Sequence, residues 1–281
     1  IFPVYLLIII PHNTTLSFVH CSIAVKQTLL MPSIHKFLAI ETSTSPGSVA
    51  AGTLPSQHAE KPESRRFENF LVQESRLPKE GGQGQHLMPT LVATVESAGW
   101  SLNKVDLVVV ATGPGPFTGL RVGVTTAKAL AWTNGCSLVG ISTASCLATQ
   151  AVAECGSCDQ VEVIFDAGRG ELYVATASQP IDNLIWQISE GTVRKPAEWR
   201  KTLAPGSLVT GPGLAMQHDV IHELNDNPGT LKLPPAPAWQ PYVRTLSCIG
   251  LAMFENGMTT PPAELVPAYL RASYAEDRSR T

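Results

Sequence analysis

A two-lobed α/β fold follows from three features of the chain. Three strand-like runs, at 36–41, 48–54 and 66–73, precede the first helices, and three more, at 160–166, 171–177 and 184–188, open the second half in the same order. A further strand-like run at 105–112 feeds directly into Gly113-Pro114-Gly115-Pro116-Phe117-Thr118-Gly119-Leu120-Arg121-Val122-Gly123 and a helix-like stretch behind it. Strands and helices in this order build a helix-covered sheet in each half.

Between Glu60 and Glu80 the chain is dense in charge, which marks an exposed ribbon or loop with a solvated face. From Gln85 to Trp100, Leu87, Leu91 and Val95 line one helical face, Met88 and Val92 flank it, and Glu96 is the only acidic or basic residue. Pro89 fits this helix if it lies in the first turn, and Gly99 supplies the stop. In the next motif Pro114 and Pro116 each fix φ and donate no amide, while Gly113 and Gly115 reach angles closed to other residues. A stiff, sharply folded bend is the expected result. Thr118 then N-caps a helix that runs to about Gly135.

Within that helix Gly119, Gly123, Ala127 and Ala131 recur every four residues and leave one stripe nearly bare, open to close approach by another backbone. Only Arg121 and Lys128 are charged, so most of the helix is buried, either inside one domain or against a second chain. Arg121 lies in the first turn, where a cation opposes the helix dipole. This predicts an anionic partner: a carboxylate of the same chain, a phosphate, or a group on another subunit. Two neighbouring helices with so little charge suggest a subunit interface. A strand at 137–141 and a helix at 143–154 follow, which places the first lobe at 36–158 and the second at 159–281. In the second lobe 234–238 reads as a stiff extended linker and 243–255 as a final helix.

Phe37-Leu38-Ala39-Ile40-Glu41-Thr42-Ser43-Thr44, Ser48-Val49-Ala50, Gln85-His86-Leu87-Met88-Pro89 and the Gly113–Gly123 motif occur in that order. With Val163-Ile164-Phe165-Asp166-Ala167-Gly168-Arg169-Gly170-Glu171-Leu172-Tyr173 and Val266-Pro267-Ala268-Tyr269-Leu270-Arg271, they resemble the TsaB (YeaZ) family. This is the Gcp-like, or glycoprotease-like, partner subunit that bacteria use to make threonylcarbamoyladenosine on tRNA. The resemblance covers about residues 36–275, and its Gly-Pro-Gly-x-Phe-Thr-Gly-x-Arg core is specific. It implies a non-catalytic subunit that binds and activates a TsaD-like catalytic subunit. It also implies a homodimer when alone, a TsaE-like ATPase as a third component, and contact with tRNA only through the complex. Leu87, Leu91, Gly113, Pro114, Gly115, Phe117, Thr118, Gly119, Arg121, Gly123 and Ala127 are then the motif and interface residues. The repeated strand pattern suggests the duplicated α/β fold of actin and the sugar kinases, with a degraded second copy.

Kinases of that fold bring three loops to ATP. The first candidate here holds Thr42 and Thr44, but Glu41 stands where such loops usually have Asp, and no Lys follows. The second holds Asp166 and Gly168, an acceptable phosphate turn with a metal-ligating carboxylate. The third, Gly211-Pro212-Gly213, is a weak signal. No intrinsic cofactor is expected, and at most weak binding of ATP, ADP or Mg²⁺ at the complex. Two alternatives belong to other classes: a small-molecule kinase or ATPase, and a Gcp-type metallopeptidase. The second would need a His-x-x-x-His pair on the 143–153 helix, which has no histidine. His218 and His222 have the spacing but lie in the second lobe, so no metal site is assigned.

Composition agrees with a soluble globular chain: 281 residues, 44% hydrophobic and 15% charged. A net charge of −3 and a pI near 6.2 give none of the basic footprint of a protein that grips tRNA by itself. No apolar run reaches the ~18 residues that span a bilayer. Cys155-Gly156-Ser157-Cys158 follows a helix and precedes a strand, the reverse of a thioredoxin-like arrangement, and Cys21, Cys136, Cys146 and Cys248 are scattered. Reduced thiols and a cytoplasmic location are expected. Residues 1–35 begin with an apolar run lacking a basic n-region and read as a non-native or disordered extension.

Overall fold

Strand β1 (Lys36–Glu41) carries an unbroken apolar run from Phe37 to Ile40, which only a strand covered on both faces can bury. The computed structural model, which describes residues 36–54, 71–181, 184–217 and 231–269, gives it that position. β2 (Ser48–Thr53) pairs antiparallel with one side of β1, and β3 (Leu71–Arg76) extends the meander. β4 (Leu107–Gly113) pairs parallel with the other side, and β5 (Ser137–Ser142) with β4, for the order β3-β2-β1-β4-β5. Parallel neighbours need crossovers, and helices α1 (Gln83–Ser97) and α2 (Phe117–Asn134) supply them. Period-two alternation then sorts the core. Leu38, Ile40, Val108 and Val110 meet Leu87, Leu91, Val124 and Ala127 of the helix pair. Phe37, Ala39, Leu107 and Val109 face the opposite way, towards helix α5 (Val243–Glu255).

The second sheet repeats this plan. β6 (Gln160–Gly168) and β7 (Glu171–Ile181) form a hairpin whose turn residues Arg169 and Gly170 both have positive φ, at 58° and 73°. β8 (Ile185–Ile188) and β9 (Thr192–Arg194) pair with β7, while β10 (Ser207–Thr210) runs parallel to β6 and β11 (Leu231–Lys232) parallel to β10. Helix α3 (Thr143–Cys155) packs Ala144, Leu147, Ala148 and Ala151 on Val161, Val163 and Phe165. The other face is covered thinly, by Trp199 of the five-residue helix α4 (Pro196–Arg200) and Leu214 of a 3-10 turn at Pro212–Met216.

Packing does not follow a division at 158/159. α3 belongs to the second lobe by its contacts, and the chain returns to the first lobe through α5 and the segment after it. There the Thr260 amide donates to Leu138 O, the Ala268 amide donates to Thr112 O, and Leu265 enters the first core. The described residues belong to a single compact unit. The expected extension at 1–35, the start of the 66–73 strand and the pair His218 and His222 lie outside the described residues.

Four local expectations need correction. Thr118 does not cap α2, because the helix already begins at Phe117 with Pro116 at the N-cap and no side-chain cap bond. Pro89 is not in the first turn, because α1 starts at Gln83; Pro89 lies inside the helix on its exposed side. The 234–238 segment is no free linker: a 3-10 turn spans Ala236–Trp239, and the Trp239 indole donates to Pro234 O at 2.9 Å. Finally, the bare stripe of α2 faces inward. Gly119, Gly123, Ala127 and Ala131 are all buried, as are Leu87 and Leu91, so these six side-chain positions are core rather than surface.

A Cβ at Gly119 would collide with Thr42 O and Gln83 Oε1. Gly→Ala in an exposed helix stabilises by up to about 1 kcal/mol. Here Gly119→Ala is predicted to destabilise by about 1–3 kcal/mol through overpacking against a backbone carbonyl. Urea denaturation measures the sign; a gain in stability would mean that α2 does not rest on this backbone.

Candidate functional site

The β1–β2 loop, residues 42–47, is where the motifs meet. A Cβ at Gly115 would strike Ser43 O, and one at Gly123 would strike Thr42 Oγ1. Gln83, the first residue of α1, donates from Nε2 to Thr44 O at 2.5 Å, and the Leu77 amide donates to Gly47 O at 2.8 Å. The Gly-Pro bend and the start of α2 thus form a lid over the loop, with cis peptide bonds at Ser45–Pro46 and Gly113–Pro114. Thr42, Ser43 and Thr44 are buried, and the Thr42 hydroxyl makes no hydrogen bond among the described residues.

Glu41 closes the loop from beneath. Its Oε1 accepts from the Ser43 amide at 2.6 Å and the Ser43 hydroxyl at 2.5 Å, and its Oε2 accepts from the Thr44 hydroxyl at 3.0 Å. Those three donors favour the carboxylate, but complete burial opposes it more strongly and pushes the carboxyl up to about 7. The hydroxyls expected to face a phosphate are therefore spent on Glu41 or covered by glycine.

The other two loops are also used internally. Asp166 is exposed, but its Oδ1 accepts from the Gly168 amide at 2.7 Å across the β6–β7 bulge. Gly211 and Gly213 are buried where a Cβ would meet the backbone of Ile164, so they seat β10 and its following turn on β6. A nucleotide of the kinase type would need these three loops open to one space. Gly211 and Gly213 pack on Ile164, Thr42 lies under Gly123, and the Thr44 hydroxyl is taken by Glu41, whereas Gly168 and Gly170 of the second loop have open space beside them.

What remains open is the outer face of α1 and α2. Met88 is 42% exposed, Val92 38%, Phe117 40% and Trp132 79%. Pro89, Ala93, Thr125 and Ala129 are exposed as well, so the surface is apolar and almost without charge. Arg121 stays exposed at its edge, but among the described residues its neighbours are aromatic rather than anionic. The guanidinium lies 3.8 Å from the Phe117 ring centroid, and its Nε donates to the Tyr269 hydroxyl at 3.1 Å. Phe117 and Tyr269 stack with centroids 4.7 Å apart. Among the described residues a π contact and a phenol hold the guanidinium. Lys128 donates to Leu265 O at 3.0 Å. Together these contacts fasten the returning segment to α2.

Sequence reasoning assigned no role to Trp132 or Tyr269. A helical wheel centred on the glycine stripe puts Thr125, Ala129 and Trp132 opposite it, which would have marked Trp132. Tyr269 carries no such signal, because its contact with Arg121 joins distant parts of the chain. Among the described residues Cys155 and Cys158 are free, with both thiols pushed up chiefly by burial, unlike the depressed thiol of a redox pair. No helix among them is long and apolar enough to cross a membrane.

Glu41 makes stability depend on pH. Its contribution is full below the unfolded carboxyl value of 4.5 and is lost as pH rises through about 7. The size is on the order of 3 kcal/mol. Glu41→Gln keeps the shape without the charge, and urea unfolding at pH 5 and pH 8 is predicted to show a smaller loss at pH 8 than in the parent chain. Equal losses in both would contradict a proton held at Glu41.

Comparison with known proteins places this architecture. Residues 83–251 match the family model of TsaD, tRNA N6-adenosine threonylcarbamoyltransferase. The chain is 30% identical over 199 residues to the tRNA threonylcarbamoyladenosine biosynthesis protein TsaB of Escherichia coli (strain K12), covering 68% of this chain and 81% of that protein. It is 29% identical over 192 residues to the TsaB of Bacillus subtilis (strain 168), covering 67% and 80%. A solved Pseudomonas aeruginosa structure, described as similar to peptidase YeaZ, superposes with a TM-score of 0.62 at 21% identity, over 85% of this chain and 100% of that one. Two sheets of matching plan give the chain an actin- and sugar-kinase-like fold, and with these relatives it belongs to the TsaB (YeaZ) family.

Proposed function

We propose that this chain serves tRNA threonylcarbamoyladenosine biosynthesis as a cytoplasmic, non-catalytic subunit that binds and activates a TsaD-like catalytic partner. The observation that carries this reading is the outer face of α1 and α2. It sets Met88, Val92, Phe117 and Trp132 in water on two well-packed helices, with Arg121 held flat at the edge. An apolar patch on a rigid scaffold gains free energy when a second protein covers it, at roughly 25 cal/mol per Å². Two facts support a role without turnover: the hydroxyls of Ser43 and Thr44 in the first kinase-type loop are taken by Glu41, and the net charge of −3 gives no basic footprint for tRNA. tRNA is then reached through the complex, with a TsaE-like ATPase as the third component. Without its partner the chain forms a homodimer through the same face, because a patch that covers itself is satisfied by a two-fold axis.

The interface residues follow from exposure rather than from the glycine motif. Val92→Asp places a charge in the middle of the face and leaves the core alone. It is predicted to weaken association with the TsaD-like subunit at least tenfold, and to lower partner-dependent tRNA modification accordingly, while melting stays near that of the parent. Light scattering and a threonylcarbamoylation assay on the mixture read both effects. Unchanged association in both Val92→Asp and Trp132→Asp would overturn the assignment of this face.

A further inference from the structure

In an antiparallel pair every second residue of an edge strand turns its N–H and C=O away from its neighbour. The register of β3 on β2 decides which residues those are. Arg76 lies opposite Ser48, and one step on the Leu77 amide donates to Gly47 O at 2.8 Å. Leu77, Ser75 and Gln73 therefore bond inward to β2, while Arg76, Glu74 and Val72 point their amides and carbonyls outward. β3 ends its sheet, so among the described residues no strand pairs with that edge, and Gln73, Glu74 and Arg76 are exposed along it.

The side chains alternate in step. Ser75 turns to α1, its hydroxyl 2.8 Å from that of Thr94, whereas Glu74 turns to α5, where its Oε1 accepts from Arg244 Nε at 2.7 Å. Glu74 and Arg76 thus share the face of the sheet away from α1. Arg76 makes no hydrogen bond or ion pair among the described residues, and Glu74 Oε2 is unused among them. Charges on an edge strand ordinarily oppose pairing. Here they alternate in sign with the outward backbone groups and select one register.

That register belongs to a second β3. A two-fold axis at Ser75 sets Glu74 opposite Arg76 of the second copy, and Arg76 opposite Glu74 of the second copy. Both are outward-pointing residues, so each pair exchanges N–H···O bonds in both directions, with Cα atoms about 5.5 Å apart and unlike charges side by side. Moving the axis to Glu74 or to Arg76 keeps outward groups facing each other but places like charges together. Pro78, opposite Val72 in the favoured register, has no N–H and ends the ladder. We infer that two copies of this chain join edge to edge through β3, with Ser75 on the axis, into one continuous sheet. The paired charges lie across the sheet from α1, so this contact is independent of the face assigned to the catalytic partner.

Sedimentation velocity over a concentration series tests this inference, on the full chain carrying Val92→Asp so that the α1–α2 face does not self-associate. The expected result is a concentration-dependent dimer, weakened at least tenfold by adding Glu74→Pro. A proline there removes only an outward N–H and is tolerated on an edge, so melting is expected to stay near that of the parent. Arg76→Glu sets carboxylates opposite each other and is expected to weaken the dimer likewise. The double exchange Glu74→Arg with Arg76→Glu recreates unlike pairs and is expected to restore it. A Val92→Asp chain that stays monomeric throughout the series would overturn the inference. So would a dimer indifferent to Glu74→Pro and Arg76→Glu, or a double exchange that fails to restore it. The partner face is judged separately, by association with the TsaD-like subunit, which the β3 substitutions leave untouched.

Discussion

The contact between the 42–47 loop and the glycine face of α2 is the constraint on which the first lobe is built. Thr42 and Ser43 lie so close under Gly115, Gly119 and Gly123, by backbone at the first two and by the Thr42 side chain at the third, that no added side chain fits between. That closeness fixes how α2 crosses β1 and brings the start of α1 to the loop through Gln83. The returning segment is held the same way, since a Cβ at Gly113 would meet Ala268 O. Separate parts of the chain therefore converge on the Gly113–Gly123 motif. Glu41 completes the arrangement as a buried carboxyl bound by the loop it supports.

This packing divides the molecule's chemistry. Loops that would embrace a nucleotide in a kinase of the same fold are spent on holding strands and helices together, at Thr42, Gly211 and Gly213 alike. The result is a rigid first lobe. Rigidity in turn gives the outward side of the same helices a defined shape, with Phe117, Arg121 and Tyr269 locked together at one edge. Binding energy gained on such a surface is not spent on ordering it first. The proposed role as an activating subunit needs a surface of this kind.

Much of the fold was legible in the sequence, because it rests on local signals. The unbroken apolar run of Phe37 to Ile40 gave β1, Gly99 and Gly135 marked helix ends with positive or left-handed φ, and the repeated hairpin order gave the second lobe. The site was less legible. A stripe of Gly119, Gly123 and Ala127 says that something approaches closely, but not whether it is the same chain or another. Only the three-dimensional path of the 42–47 loop decides it, and that depends on contacts far apart in sequence. The same reason hid the exchange of α3 and α5 between lobes, as well as the role of Tyr269, 148 residues from Arg121. At Arg121 the described residues supply aromatic neighbours, and spacing along a helix does not say whether a ring or a carboxylate will lie beside a cation.

Photocrosslinking from single positions on α1, in the mixture with the TsaD-like subunit, tests most directly which way the helix pair faces. A photoreactive phenylalanine analogue at position 92 is predicted to label the partner. Efficient complex formation with no crosslink from position 92 would contradict the account, because the partner would then sit on some other surface.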